Sequence, residues 1–217
     1  MVLNRHISGV GFVSSAVLIF LSSACCIDAH AQQLPKHLKP YSESRLTADD
    51  FQGNKTAATI RKAYTWTQIR YDFNYRYETR GEVTTAKLTK ANVFAVFDRN
   101  VSWNVDKNNA SLLGHEQGHF EVTQSFALKI HLALLKQVKS ATPIKATGTS
   151  EQDAAMKIGA KIRELVDQIN GEMVKAHQEY DRLTRHGLSA KQQNDFRKKQ
   201  HDSLTFLNDE IKRLSED

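Results

Sequence analysis

An α+β fold, with a small and largely antiparallel sheet followed by three helices, is predicted by the order of hydrophobic patterns along the chain. Period-two alternation fills residues 57 to 103, helical periodicity takes over from about 109, and two breaks divide the helical half into three. The 217 residues, 40% of them hydrophobic, suffice for one domain with short appendages.

The first 31 residues are set apart from that domain. Arg5 is the one side chain charged at neutral pH before Asp28, and between them runs an apolar stretch, residues 10–21. Small residues and Ala29-His30-Ala31 follow. A basic start, a short apolar run and an A-x-A end predict a secretory signal peptide over 1–31, cleaved after Ala31. The apolar run falls short of the roughly 20 residues that a membrane span needs, so no stable span is expected after cleavage. Both cysteines, Cys25 and Cys26, lie in the removed segment, which leaves an exported chain, periplasmic or extracellular, without thiols. Leu21-Ser-Ser-Ala-Cys25 is loosely lipobox-like, but its leucine stands one place too far from Cys25. A lipoprotein is the lesser alternative.

Residues 32–56 are expected to form an irregular lead-in, because Pro35 and Pro40 interrupt regular structure. Within it, Thr47 and Asp50 have the spacing of a capping box at the start of a short turn. The sheet comes next. Tyr71, Phe73, Tyr75 and Tyr77 alternate with Asp72, Asn74 and Arg76, which predicts a half-buried strand. Val93, Ala95 and Phe97 share one face of a second strand and Phe94 and Val96 the other, so this strand is expected to be covered on both sides. Residues 58–64 are a weaker candidate, and Gly81 marks a turn. The aromatic residues are assigned to core and cross-strand packing.

After Trp103, itself a core anchor rather than a substrate platform, the chain turns helical. Asn109 or Ser111 can cap a helix running to about Ser140, with Phe120, Phe126, Ile130 and Leu134 near one apolar side. Thr142-Pro143 and Gly148-Thr-Ser150 form a connector. From Ser150 a second helix carries Ala154, Ile158, Ile162, Val166, Ile169 and Met173 in one stripe, with Gly187 placed to stop it. Ser189 opens the third, with Phe196, Leu204, Leu207, Ile211 and Leu214 inward.

Charge excludes one class of partner. The net charge is +6, from 30 basic and 24 acidic residues, yet the two signs are interleaved. The one dense basic cluster, residues 197–199, sits on an amphipathic helix rather than on a one-faced patch. With export, this leaves no nucleic-acid partner. No glycine-rich phosphate loop and no Ser–His–Asp arrangement is suggested either.

The chemistry concentrates in Leu112-Leu-Gly-His115-Glu116-Gln-Gly-His119-Phe120-Glu121, which holds H-E-x-x-H inside a predicted helix. Four residues apart, His115 and His119 share a helical face, and two imidazoles there can hold one zinc ion. Glu116 sits beside that face, where a carboxylate can take a proton from a water whose pKa zinc lowers to about 7. Gly114 and Gly118 each cost up to about 1 kcal/mol in a helix interior and call for a close approach by another segment.

A zinc site of this kind needs a third protein ligand. His37 lies in the irregular lead-in, and His131 is three turns along the same helix and too far to serve; His177, His186 and His201 remain, with Asp181 and Glu179. The block Glu179-Tyr180-Asp181-Arg-Leu-Thr184-Arg-His186-Gly187 gathers polar residues at a helix end. Spacing leaves His186, Asp181 and Glu179 open as the ligand, with Asp181 also a partner for a ligand imidazole. Tyr180 is a candidate oxyanion donor, though a buried structural tyrosine is the plainer reading.

Five segments follow in order from Tyr41 to the last helix. They are Tyr41-Ser-Glu-Ser, Leu46-Thr-Ala-Asp-Asp-Phe51-Gln-Gly53, Ser102-Trp103, His115-Glu-Gln-Gly-His-Phe120 and Tyr180-Asp-x-x-Thr184-x-His186-Gly187. The series resembles an uncharacterised bacterial family of secreted, zinc-dependent-protease-like proteins. The family pattern has Trp where Ala48 stands and Asp where Glu121 stands. The resemblance supports the fold more than any substrate. It favours His186 over Asp181 as third ligand and makes Glu121 a candidate outer partner of the site.

Two functions are consistent with these residues. The first is an exported zinc metallopeptidase with zincin-like architecture over residues 57–217, acting on a peptide or protein laid in extended form along a sheet edge. The second is a non-catalytic envelope binding or structural module in which a metal only clamps the helices.

Overall fold

The structure, a computed structural model, describes residues 34–55 and 61–216. The signal-peptide stretch with Cys25 and Cys26, and the first part of the weak strand candidate at 58–64, lie outside the described residues. Among the described residues, six strands and three α-helices follow in chain order, besides a single 3-10 turn at Ala48–Asp50. They are β1 (Leu38–Pro40), β2 (Ala63–Tyr64), β3 (Thr67–Arg80), β4 (Val83–Asp98), β5 (Trp103–Asn104), α1 (Ala110–Lys139), β6 (Lys145–Gly148), α2 (Glu151–Thr184) and α3 (Ala190–Glu216). The α+β arrangement, a small antiparallel sheet and then three helices, is the predicted one.

β4 is the centre of the sheet. β3 pairs with it along its whole length, and β1 and β6 share its other edge, at Val96–Asp98 and Thr84–Lys87 respectively. β3 and β4 form a hairpin whose two-residue loop begins at Gly81, φ 60°, where a positive φ suits glycine. The sequence predicts the second strand only from Ala91, whereas β4 begins at Val83. The cause is a bulge: Asn74 pairs with Lys90 and Tyr75 with Leu88, so Thr89 is the extra residue. Its hydroxyl donates to the Asn74 carbonyl at 3.0 Å. The bulge shifts the phase of β4, so even-numbered Thr84, Ala86 and Leu88 and odd-numbered Val93, Ala95 and Phe97 are all buried. Read as one alternating run the segment looks broken; read as two runs joined at Thr89 it is continuous.

The lead-in is less irregular than predicted. β1 lies within it, and the capping-box spacing is used: the Thr47 backbone N–H donates to Asp50 Oδ2 at 2.8 Å. Asp50 is buried between two cations, with Lys39 Nζ at 2.8 Å and Arg99 Nε at 2.9 Å. The connector before α2 likewise holds a strand, β6, that Pro143 and Gly148 obscure.

Asn109 is the N-cap of α1, accepting from the Leu112 N–H at 3.0 Å, and Ser150 caps α2 by accepting from Asp153 N–H at 3.1 Å. The main core is a layer of sheet residues, Leu88, Val93, Ala95 and Phe97, closed by Phe120, Ile130 and Leu134 of α1 and Ile158, Ile162 and Val166 of α2. α3 lies against α1 through Leu128, Leu132, Leu204 and Leu207. Two glutamines of α1 reach backbone outside the helix. Gln117 Oε1 accepts from Leu46 N–H at 2.8 Å, and Gln124 Oε1 accepts from Ala95 N–H at 3.2 Å, in the gap of the sheet edge between β1 and β6. Among the described residues, no helix is long and apolar enough to cross a membrane.

Candidate metal centre

α1 presents His115 and His119 one turn apart, with ring centroids 4.8 Å apart and planes nearly perpendicular. The last turns of α2 pass across this face. They bring Asp181 to it, 66 residues along the chain from His115. A single carboxylate oxygen, Asp181 Oδ1, stands 3.1 Å from His115 Nε2 and 3.0 Å from His119 Nε2. Ligand atoms of the three residues all lie within 4.8 Å of one another. Two imidazole nitrogens and one carboxylate oxygen are a donor set of the kind that zinc takes. Imidazole donors also argue against a magnesium or calcium site, whose ligands are oxygens. The donor set therefore fits zinc.

α2 stops where Gly187 predicts. Arg185 and His186 both adopt φ 54° and Gly187 φ 83°, a left-handed run that reverses the chain into α3. Gly187 lies over His115, where a Cβ would meet the His115 Cβ at 3.0 Å. The run also fixes His186, and it is Asp181, the alternative third ligand, that the structure groups with the two histidines. The His186 side chain is 70% exposed and Asp181 14%, and His186 Nδ1 stands 3.4 Å from Asp181 Oδ1. The helix ends before His186, which leaves that side chain exposed, whereas Asp181 is still helical and faces α1. Glu179 pairs with Arg182 on the exposed side.

Glu116 is buried next to the histidines but outside the donor set. Thr65 Oγ1, in the two-residue link between β2 and β3, donates to Glu116 Oε2 at 2.6 Å and pins one oxygen of the carboxylate. Tyr180 has the surroundings of the plainer reading, a buried structural tyrosine. It is fully buried, its ring stacks on His115 at 4.9 Å, and its hydroxyl donates to the His115 carbonyl at 3.3 Å. Burial holds that hydroxyl well above the usual tyrosine range, with Glu121 and Glu116 adding to the effect. Glu121, expected as an outer partner of the site, points elsewhere. Two residues past His119 it lies about 200° around the helix. There it faces Arg45 at 3.7 Å in a groove of about 400 Å³ lined also by Tyr41, Arg197 and His201.

The electrostatics follow from burial against pairing. Burial disfavours the charge on Asp181, but the bonds to His115 and His119 outweigh it and hold the carboxyl well below its ordinary range. Burial also opposes protonation of His119, and the bond to Asp181 overcomes it and lifts that imidazole. His177, 3.0 Å from His119 through facing Nδ1 atoms, has no carboxylate bond of its own, and burial takes it down to about 3.

Thr65, His177 and Thr184 are parts of the centre that the sequence reading does not assign. Thr184 Oγ1 stands 3.3 Å from His115 Nδ1. His177, Asp181 and Thr184 recur at helical spacing, a polar stripe that could have marked the inner face of α2. No signal marks Thr65, which reaches Glu116 across 51 residues. No family model, no curated protein and no solved structure matches this chain.

Proposed function

We propose that the protein is an exported zinc metallopeptidase of zincin-like architecture in which His115, His119 and Asp181 hold the metal and Glu116 is the general base. The observation that carries this reading is the convergence of two Nε2 atoms on one Asp181 oxygen, with a buried carboxylate adjacent and outside the set. Bound there, zinc supplies a Lewis acid for the scissile carbonyl and brings the pKa of water to about 7. Glu116 accepts the proton of the attacking water and passes it to the leaving amine. Thr65 holds the carboxylate so that its free lone pairs keep one direction. β3 is an edge strand whose start is tied to α1 by Thr67 and Thr123, 2.6 Å apart through their hydroxyls. An extended peptide added to that edge would run beside the motif helix and pair through its backbone.

The second reading, a metal that only clamps the helices, is favoured by one observation. His186 Nδ1 at 3.4 Å from Asp181 Oδ1 is near enough that a turn of its exposed side chain would offer a fourth donor and close the site. Glu116→Gln separates the two. In the enzyme the variant keeps stoichiometric zinc and loses hydrolysis of casein or a peptide library. A wild type that is zinc-replete and cleaves neither substrate supports the clamp.

A further inference from the structure

His177 is a buried titratable side chain, in contact with the site, that the proposed chemistry leaves unused. It lies on α2 one turn before Asp181, with Nδ1 3.0 Å from His119 Nδ1 and Nε2 3.3 Å from Thr123 Oγ1. Two ring nitrogens 3.0 Å apart share one proton, and the groups behind them decide which ring supplies it. Behind His119, Nε2 donates to Asp181 Oδ1 at 3.0 Å while no metal is bound and gives its lone pair to a metal when one is, so the assignment is made for the metal-loaded site. Thr123 has a single hydroxyl proton and two closer neighbours, Thr67 Oγ1 at 2.6 Å and the His119 carbonyl at 3.2 Å. Directed to either of these, the proton leaves Thr123 Oγ1 as an acceptor toward His177. His177 Nε2–H then donates to Thr123, His177 Nδ1 is a lone pair, and His119 Nδ1–H donates into it.

We propose that His177 is a positioning residue that fixes His119 as its Nδ1–H tautomer and so aims the Nε2 lone pair of His119 at the metal. His115 is served in the same way without the intermediary. The Thr184 hydroxyl donates to the Tyr180 carbonyl at 2.7 Å, which leaves its oxygen to accept from His115 Nδ1–H at 3.3 Å. Each metal-facing imidazole is thus referred to a threonine bonded to the carbonyl four residues back, directly for His115 and through a second imidazole for His119. Ligand histidines ordinarily rest the far nitrogen on a carboxylate, carbonyl or water; at His119 a neutral histidine takes that place.

The assignment rests on the reading of His115, His119 and Asp181 as metal ligands, and the test separates the two. Long-range ¹H–¹⁵N correlation spectra of the zinc-loaded protein labelled at histidine should show His177 protonated at Nε2. With zinc, His119 should carry its proton on Nδ1. A proton on His177 Nδ1, or zinc on His119 Nδ1, overturns the proposal. His177→Phe should lower zinc affinity about 10–100-fold, and His177→Asn, whose amide oxygen stands where Nδ1 stood, should recover part of that loss. Wild-type affinity in His177→Phe also overturns it. A wild type that takes up no zinc defeats the metal reading, whereas zinc uptake with a proton on His177 Nδ1 defeats this assignment alone.

Discussion

The Tyr180 hydroxyl occupies the volume that a side chain on Gly118 would need: a Cβ built there collides with the Tyr180 ring and its oxygen. Gly118 is therefore the point at which α2 can come close enough to α1 for Asp181 to reach both histidines. Gly114, one turn earlier, admits Gln193 of α3 in the same way, with Nε2 at 3.0 Å from its would-be Cβ. Gly118→Ala gains up to about 1 kcal/mol of helix propensity. It loses about 1–3 kcal/mol to overpacking, since Tyr180 has no room to retreat past Phe196, 4.5 Å away. The expected outcome is a lower Tm together with weakened zinc binding, read by thermal unfolding with and without zinc. A variant of raised Tm and unchanged affinity would mean that α2 does not depend on this contact.

Asp181 and His186 are ranked by the geometry. Asp181→Ala removes the atom on which both imidazoles converge, and zinc affinity should drop by more than the roughly 100-fold upper range of an outer partner. His186→Ala removes an exposed ring and should stay within about 10-fold of wild type. Competition against a chromophoric chelator measures both. The opposite order would hand the third position to His186.

Acid stability should depend on Asp50. Burial disfavours its charge, yet the bonds from Lys39, the Thr47 backbone and Arg99 prevail, and its carboxyl is held below the ordinary aspartate range. A carboxyl with a folded pKa below its unfolded one stabilises the protein above the unfolded pKa, about 3.9. That contribution fades as pH falls through the folded value. Lys39 and Asp50 are 3% and 7% exposed, so Asp50→Asn strands a buried ammonium and should cost roughly 3–5 kcal/mol near neutrality. Urea titrations from pH 7 down to 3 should show the gap between wild type and variant narrowing at the acid end. A gap that stays constant removes Asp50 from the acid response.

The layout of the fold was legible because its signals are local. Asn109 and Ser150 announce their helices, Gly187 its stop, and the alternating aromatic residues β3. Two things hid. β6 and the first half of β4 were masked by a bulge that inverts the alternation at Thr89 and by the Pro143 and Gly148 around a four-residue strand. The proposed metal centre was half visible: the i, i+4 histidines and the proposed base lie in one turn, whereas the proposed third ligand depends on where a helix 66 residues away ends. The choice between Asp181 and His186 turns on a left-handed run of three residues, which spacing cannot resolve.

Gln117 and Gln124, one heptad apart on α1, each hold a main-chain amide that no strand or helix claims. They act as two keys in two slots, one cut in the lead-in at Leu46 and one in the sheet edge at Ala95. Sliding the helix by a single residue, about 1.5 Å, would pull both keys out together. The axial register of His115 and His119 is thereby set by the body of the protein before any ion arrives. A cation that settles there meets donors already at their stations, and the work of assembling them belongs to folding rather than to binding.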